Sequence, residues 1–140
     1  MSKIAVVYWS GGGNTEAMAN AVLEGVVSAG GEGTLYTPDD FNADMMDSFD
    51  AIAFGCPSMG AEELEDTVFL PMFEPCRAKL SGKKIALFGS YGWGDGEWMR
   101  NWEEACRNDG AVFACDFVIC CDAPDDKAKA ACKALGSALI

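Results

Sequence analysis

The chain has 140 residues, half of them hydrophobic, with seven cysteines, no histidine and a formal net charge of −12. That length predicts one domain, residues 1–140, with a core large enough to fold without a metal or a disulfide framework. The odd cysteine count without a CxxC pair argues against a secreted scaffold, and no apolar run approaches the ~18 residues of a membrane span.

The charge is unevenly placed. No basic residue lies between Lys3 and Arg77, a stretch that holds thirteen acids, whereas nine acids and nine bases cancel from Arg77 onward. Nucleic acid, which needs clustered cations, is excluded as a partner. A one-signed field suits a partner protein with a basic surface, and it also suits plain solubility. The segment MSKIAVVYWSGGG is too short in its apolar run for a signal peptide, so a cytoplasmic location is expected.

The elements follow in chain order. IAVVY (4–8) is a continuous β-branched run, typical of a strand buried on both faces. Asn14 to Ser28 carries a helical rhythm and stops at Gly30-Gly31. GTLYT (33–37) and DAIAFG (50–55) are the second and third strands. Thr67 to Leu80 has helical character, with Pro71 and Pro75 disputing its start. KKIALFGS (83–90) is a fourth strand and Gly96 to Asn108 a helix, in which Trp98 and Trp102 are expected to pack inward. AVFACDFVIC (111–120) is a fifth strand, in whose apolar setting Cys115, Cys120 and Cys121 are small hydrophobes, not metal ligands. Pro124 to Leu139 is the last helix, with acids in its first turn and lysines after them.

Strand and helix in alternation predict an α/β fold, a five-stranded parallel sheet wound on both faces. Ligands of such sheets sit at the carboxyl ends of the strands. The loops at 9–15, 56–66, 90–97 and 120–125 are therefore the candidate site.

The first of them, WSGGGNTEAMA, joins a strand to a helix N-terminus, where free amides and the helix dipole attract an anion. Three glycines let the backbone close, Ser10, Asn14 and Thr15 add side-chain donors, and Asn14 or Thr15 also serves as an ordinary N-cap. There is no lysine for a triphosphate, and Glu16 breaks the GxGxxG dinucleotide pattern. A single phosphomonoester held by neutral donors remains. The loop SYGWGDGEW sets Tyr91 and Trp93 between glycines, placed to lie against a flat ring, and their alternation turns at most one toward it.

WSGGGNTEAMA, GCPSMGAEELED and GKKIALFGSYGWGDGEWM, in that order along the whole chain, resemble short-chain bacterial flavodoxins, especially those of anaerobes. The resemblance implies a strand order of 2-1-3-4-5 and FMN at the switch point. It implies the FMN phosphate on Ser10, Gly11, Gly12, Gly13, Asn14 and Thr15, with Pro57 and Ser58 leading to Met59 on one ring face and Trp93 on the other. Gly60 would offer its carbonyl to flavin N5, and Glu62 would accept from N3–H. Ser90, Tyr91, Gly92 and Gly94 complete the second ring loop, whose amides meet the pyrimidine oxygens, and Asp122 lies where a further loop approaches. Two departures from the family pattern stand out: Gly12 replaces the usual hydroxyl residue, and Ala61 follows Gly60 where an acid, a serine or a glycine is common. The family's turn at Met59-Gly60-Ala61-Glu62 reverses a peptide on one-electron reduction, which would put Ala61 at φ > 0.

The implied function is that of a low-potential, one-electron carrier working through the semiquinone/hydroquinone couple. It is expected to be a monomer serving reductases and ferredoxin-linked oxidoreductases with basic docking surfaces, to which Glu63, Glu65 and Asp66 would present charge. A small FMN-dependent quinone or nitro reductase is the alternative, against which stand the absence of histidine and of a substrate pocket beyond the loops. A response-regulator receiver is rejected because Trp9-Ser10, Cys56 and Ser90 replace its acids and lysine, and a low-molecular-weight phosphatase because the first loop lacks cysteine and arginine.

Overall fold

A computed structural model describes all residues, 1–140. The chain runs β1 (Lys3–Tyr8), α1 (Asn14–Ser28), β2 (Glu32–Tyr36), β3 (Ala51–Gly55), α2 (Phe69–Cys76), β4 (Lys84–Tyr91), α3 (Glu97–Asn108), β5 (Val112–Phe113), β6 (Val118–Cys121) and α4 (Asp126–Ala138). The sheet is parallel, in the order β2-β1-β3-β4-β5, with β6 also paired to β4.

Alternate strand residues feed two cores. Ala5, Val7, Ile52, Phe54, Ile85 and Leu87 point to the α2 and α3 side, where Trp98 and Trp102 are buried as expected. Ile4, Val6, Ala53, Ala86 and Phe88 point to the α1 and α4 side. On that side the two helices meet at glycines: a Cβ on Gly25 would stand 1.9 Å from the Lys133 carbonyl oxygen, and one on Gly136 would stand 2.1 Å from that of Val22. Cys56, Cys76, Cys106 and Cys132 are buried and unpaired, and burial raises every one of these thiols. No disulfide forms, and no three metal-ligating side chains converge.

Two expectations about elements need correction. The fifth strand is split. Between the pairs Ile85↔Phe113 and Phe88↔Val118 the fourth strand advances three residues and its neighbour five, so two residues loop out around the exposed Asp116. An edge strand tolerates such a bulge because its outer side has no partner to lose. The second helix starts at Phe69, not Thr67. At its start the Glu65 carboxylate accepts the amides of Thr67 and Val68, which lead into the helix, and of Phe69, its first residue. Pro71 then falls in the first turn, where its missing N–H costs nothing.

Candidate cofactor site

The carboxyl ends of β1, β3, β4 and β6 all carry the loops singled out from the sequence. After β1 the chain turns through Ser10–Gly13, and Gly13, at φ 98°, flanks α1. No side chain caps that helix. The cap expected of Asn14 or Thr15 is not made, because the helix already begins at Asn14 and Thr15 turns inward: it is buried, and its Oγ1 lies 3.4 Å from Ser90 Oγ and accepts the Ser90 amide at the same distance. Ser10 Oγ accepts the Gly13 amide at 3.0 Å. The amides of Gly11, Gly12, Asn14, Thr15 and Glu16 donate to no protein atom. The turn borders a cavity of 190 Å³, which Pro57, Met59 and Ser90 also line. Uncapped amides at a helix N-terminus beside a cavity are suited to receive an anion. Open space stands where a Cβ on Gly12 would be, so the missing hydroxyl is a matter of chemistry and not of room.

Trp9, inside the 9–15 loop but given no role from the sequence, lines this site. Its indole lies beneath the turn, 3.0 Å from where a Cβ on Gly11 would stand, and it lines the same cavity. Its position next to the loop was visible; its direction depended on the strand register.

The loop after β3 is fastened to β4, since the Cys56 amide donates to the Phe88 carbonyl at 3.1 Å and the Ser58 amide to that of Ser90 at 3.0 Å. Met59 and Glu63 then exchange both backbone hydrogen bonds, at 2.7 and 2.9 Å, closing a three-residue turn. Within it Gly60 and Glu62 are left-handed, at φ 54° and 55°, and Ala61 is not. Glu62 Oε1 accepts the Asp95 amide at 3.2 Å, joining this loop to the next.

Glu65 has a different role from the one expected. It is 5% exposed and turned away from solvent. Its carboxylate accepts the Thr67, Val68 and Phe69 amides at 3.0, 2.7 and 2.6 Å, and also the Thr67 hydroxyl. Burial alone would raise its pKa; the Thr67 hydroxyl and the three amides outweigh burial and hold it below the ordinary carboxylate value. Glu65 therefore caps α2 and presents no charge to a partner.

In the loop after β4, Tyr91 packs on Trp98 with ring centroids 5.5 Å apart, and Trp93 is left 62% exposed. The amides of Gly92, Trp93 and Gly94 donate to no protein atom. Asp122, at the exit of β6, donates its amide to the Tyr91 carbonyl at 2.8 Å, and its Oδ1 lies 3.7 Å from where a Cβ on Gly92 would stand. The chain has two non-glycine residues at positive φ, Glu62 and Asp122, and both belong to this cleft. Such strain persists where the surroundings enforce it, and it gathers at ligand sites.

The flavodoxin family profile matches residues 6–135. The chain belongs to the flavodoxin family. It is 47% identical to the flavodoxin of Megasphaera elsdenii, over 96% of both chains, and 44% identical to that of Clostridium beijerinckii, over 86% of this chain and 88% of that one. The solution structure of two-electron reduced M. elsdenii flavodoxin superposes with a TM-score of 0.89 at 46% identity, covering 97% of each chain. A flavodoxin from the domain Archaea superposes at 0.85 with 32% identity, over 98% of this chain and 95% of that one.

Flavodoxins are FMN-binding electron carriers that serve redox partner proteins, and the strand order expected of the family is the one observed. The donor set fits FMN. Five unpaired amides and no cation suit a monoester, and three more unpaired amides at Gly92–Gly94 suit carbonyl acceptors. Met59, 40% exposed, and Trp93 leave large apolar surfaces in water that a flat ring would cover. No helix is long and apolar enough to cross a membrane.

Proposed function

We propose that this chain is a low-potential, one-electron carrier, monomeric and cytoplasmic, that holds FMN non-covalently and exchanges electrons with redox proteins through their basic docking surfaces. FMN, when bound, supplies the one-electron chemistry. The residues supply the rest. Ser10 to Thr15 bind the phosphate, Trp93 and Met59 cover the ring, and Gly92 to Gly94 donate to its carbonyl oxygens. Gly60 offers a carbonyl and Glu62 a carboxylate to ring N–H groups, and Asp122 adds negative charge near Gly92. Thr15 and Ser90 act behind the surface by tying the phosphate loop to the end of β4.

Charge supports the low potential. Each carboxylate ~10 Å from the ring costs an added electron roughly 1.7 kcal/mol at an effective dielectric of about 20. Glu62, Glu63, Asp66, Asp95 and Asp122 all lie on or beside the ring loops, and Arg100, just after the second of them, is held by Asp95 at 3.0 Å. The observation that carries the reading is the row of unpaired amides in Ser10–Glu16 beside a cavity with no cation. Fluorescence titration of the flavin-free protein tests it. FMN should bind at least about a hundredfold more tightly than riboflavin, since several charge-assisted bonds of ~1.5–3 kcal/mol each depend on the phosphate. Equal affinities would remove the phosphate from the account.

A further inference from the structure

Apart from the cofactor cleft, a groove of 300 Å³ opens between α2, α3 and residues 62–66. Its apolar wall is Leu64, Leu70, Phe73, Trp98, Trp102 and Ala105. Its rim is acidic, with Glu62, Glu63, Asp66 and Glu74. The one cation at the rim, Arg77, is engaged by Asp109 at 2.7 Å and by Glu74 at 3.5 Å.

Two features thus ask for one chemistry. The wall suits an aliphatic group, and the rim suits flanking positive charge. Anionic ligands are repelled by the rim, and a second copy of this chain, at −12, meets the same repulsion. We propose that the groove receives an aliphatic side chain of the redox partner, flanked by lysine or arginine. This rests on the reading of the protein as a carrier that docks redox proteins. The groove also touches the cofactor loop: Glu62 and Glu63 stand on its rim, and these same residues bond the Asp95 amide and Met59. The partner would then grip the loop that covers the ring, beside the site of electron exchange.

The test is an amide shift map of the FMN-loaded protein titrated with acetyl-Lys-Leu-Lys-amide, acetyl-Lys-Gly-Lys-amide and acetyl-Glu-Leu-Glu-amide. The first peptide should give saturable shifts at Leu64, Leu70, Asn101 and Ala105 and at the Trp102 indole N–H. The second should bind about tenfold more weakly, the order expected for one buried aliphatic side chain, and the third should not bind there. Ala105→Trp should fill the groove and abolish the leucine advantage while the flavin spectrum stays unchanged; if that variant fails to fold, the three-peptide comparison on the unaltered protein decides alone. Equal effects of the leucine and glycine peptides, shifts confined to other surfaces, or self-association of the protein would overturn the proposal. Loss of the flavin spectrum reports instead on the carrier reading, so the two failures are told apart.

Discussion

Glu62 Oε1 accepts the backbone amide of Asp95 at 3.2 Å, so a single left-handed carboxylate holds the two ring loops together. Gly94 is at φ 89°, a conformation that favours glycine, and a Cβ there would also stand 2.2 Å from the same oxygen. Glu62→Gln keeps an acceptor and Glu62→Ala does not. In the flavin-free protein, amide exchange at Asp95 should accelerate about tenfold in the alanine variant, the equivalent of one hydrogen bond of ~1–1.5 kcal/mol, and stay close to the original in the glutamine variant. Equal exchange in all three proteins would mean that the loops are not joined through this oxygen.

Ala61 is outside the left-handed region, although its neighbours Gly60 and Glu62 are within it. A turn that moved Ala61 to φ > 0 on one-electron reduction would therefore place the whole alanine penalty, roughly 1–2 kcal/mol, on the reduced protein. Ala61→Gly should raise the first reduction potential by about 40–90 mV, at ~59 mV per factor of ten, and move the second potential less. Anaerobic redox titration of both proteins at one pH reads this directly. A first potential that stays in place or falls removes the turn argument.

Gly12 has room for a side chain and is not at positive φ. Gly12→Ser should restore a hydroxyl donor to the phosphate loop and tighten FMN binding, with a gain of up to ~1.5–3 kcal/mol less the cost of ordering the loop. Riboflavin affinity should not change. Weaker FMN binding, or tightening equal for both ligands, would show that the backbone amides already saturate the phosphate.

Glu65 is a stability element. Glu65→Ala should destabilise the protein by about 1–3 kcal/mol, because it removes the carboxylate at the start of α2 and orphans the buried Phe69 amide. Its folded pKa is depressed, so its contribution is full above the unfolded value of about 4.3 and is lost as pH falls through the folded value. Chemical denaturation of both proteins should therefore converge at low pH. A gap that persists unchanged into strong acid contradicts the assignment. Docking charge is left to the exposed Glu63 and Asp66, whose joint neutralisation should flatten the salt dependence of partner reduction without loss of stability.

Much of this was legible in the residues. Continuous apolar runs at Ile4–Tyr8 and Ala51–Gly55 mark buried parallel strands because both faces are covered. The glycine-rich run after Tyr8 is legible as a strand-to-helix turn, and the structure places it between β1 and α1. What escaped the sequence depends on contacts distant along the chain. Thr15 reads as a cap until β4 brings Ser90 beside it, 75 residues away. Glu65 reads as one more surface acid until the chain turns to offer it three amides. The bulge around Asp116 has no local signal beyond one acid in an apolar run.

A chain that binds FMN and passes electrons singly should reveal both in its absorbance during anaerobic reductive titration of the purified protein. A yellow oxidised flavin should pass through a long-wavelength, one-electron-reduced band before full bleaching, because hydrogen-bond acceptors at Gly60 and Glu62 and nearby carboxylates separate the two potentials. A protein that retains no flavin, or one that bleaches in a single two-electron phase without that band, would contradict the carrier reading.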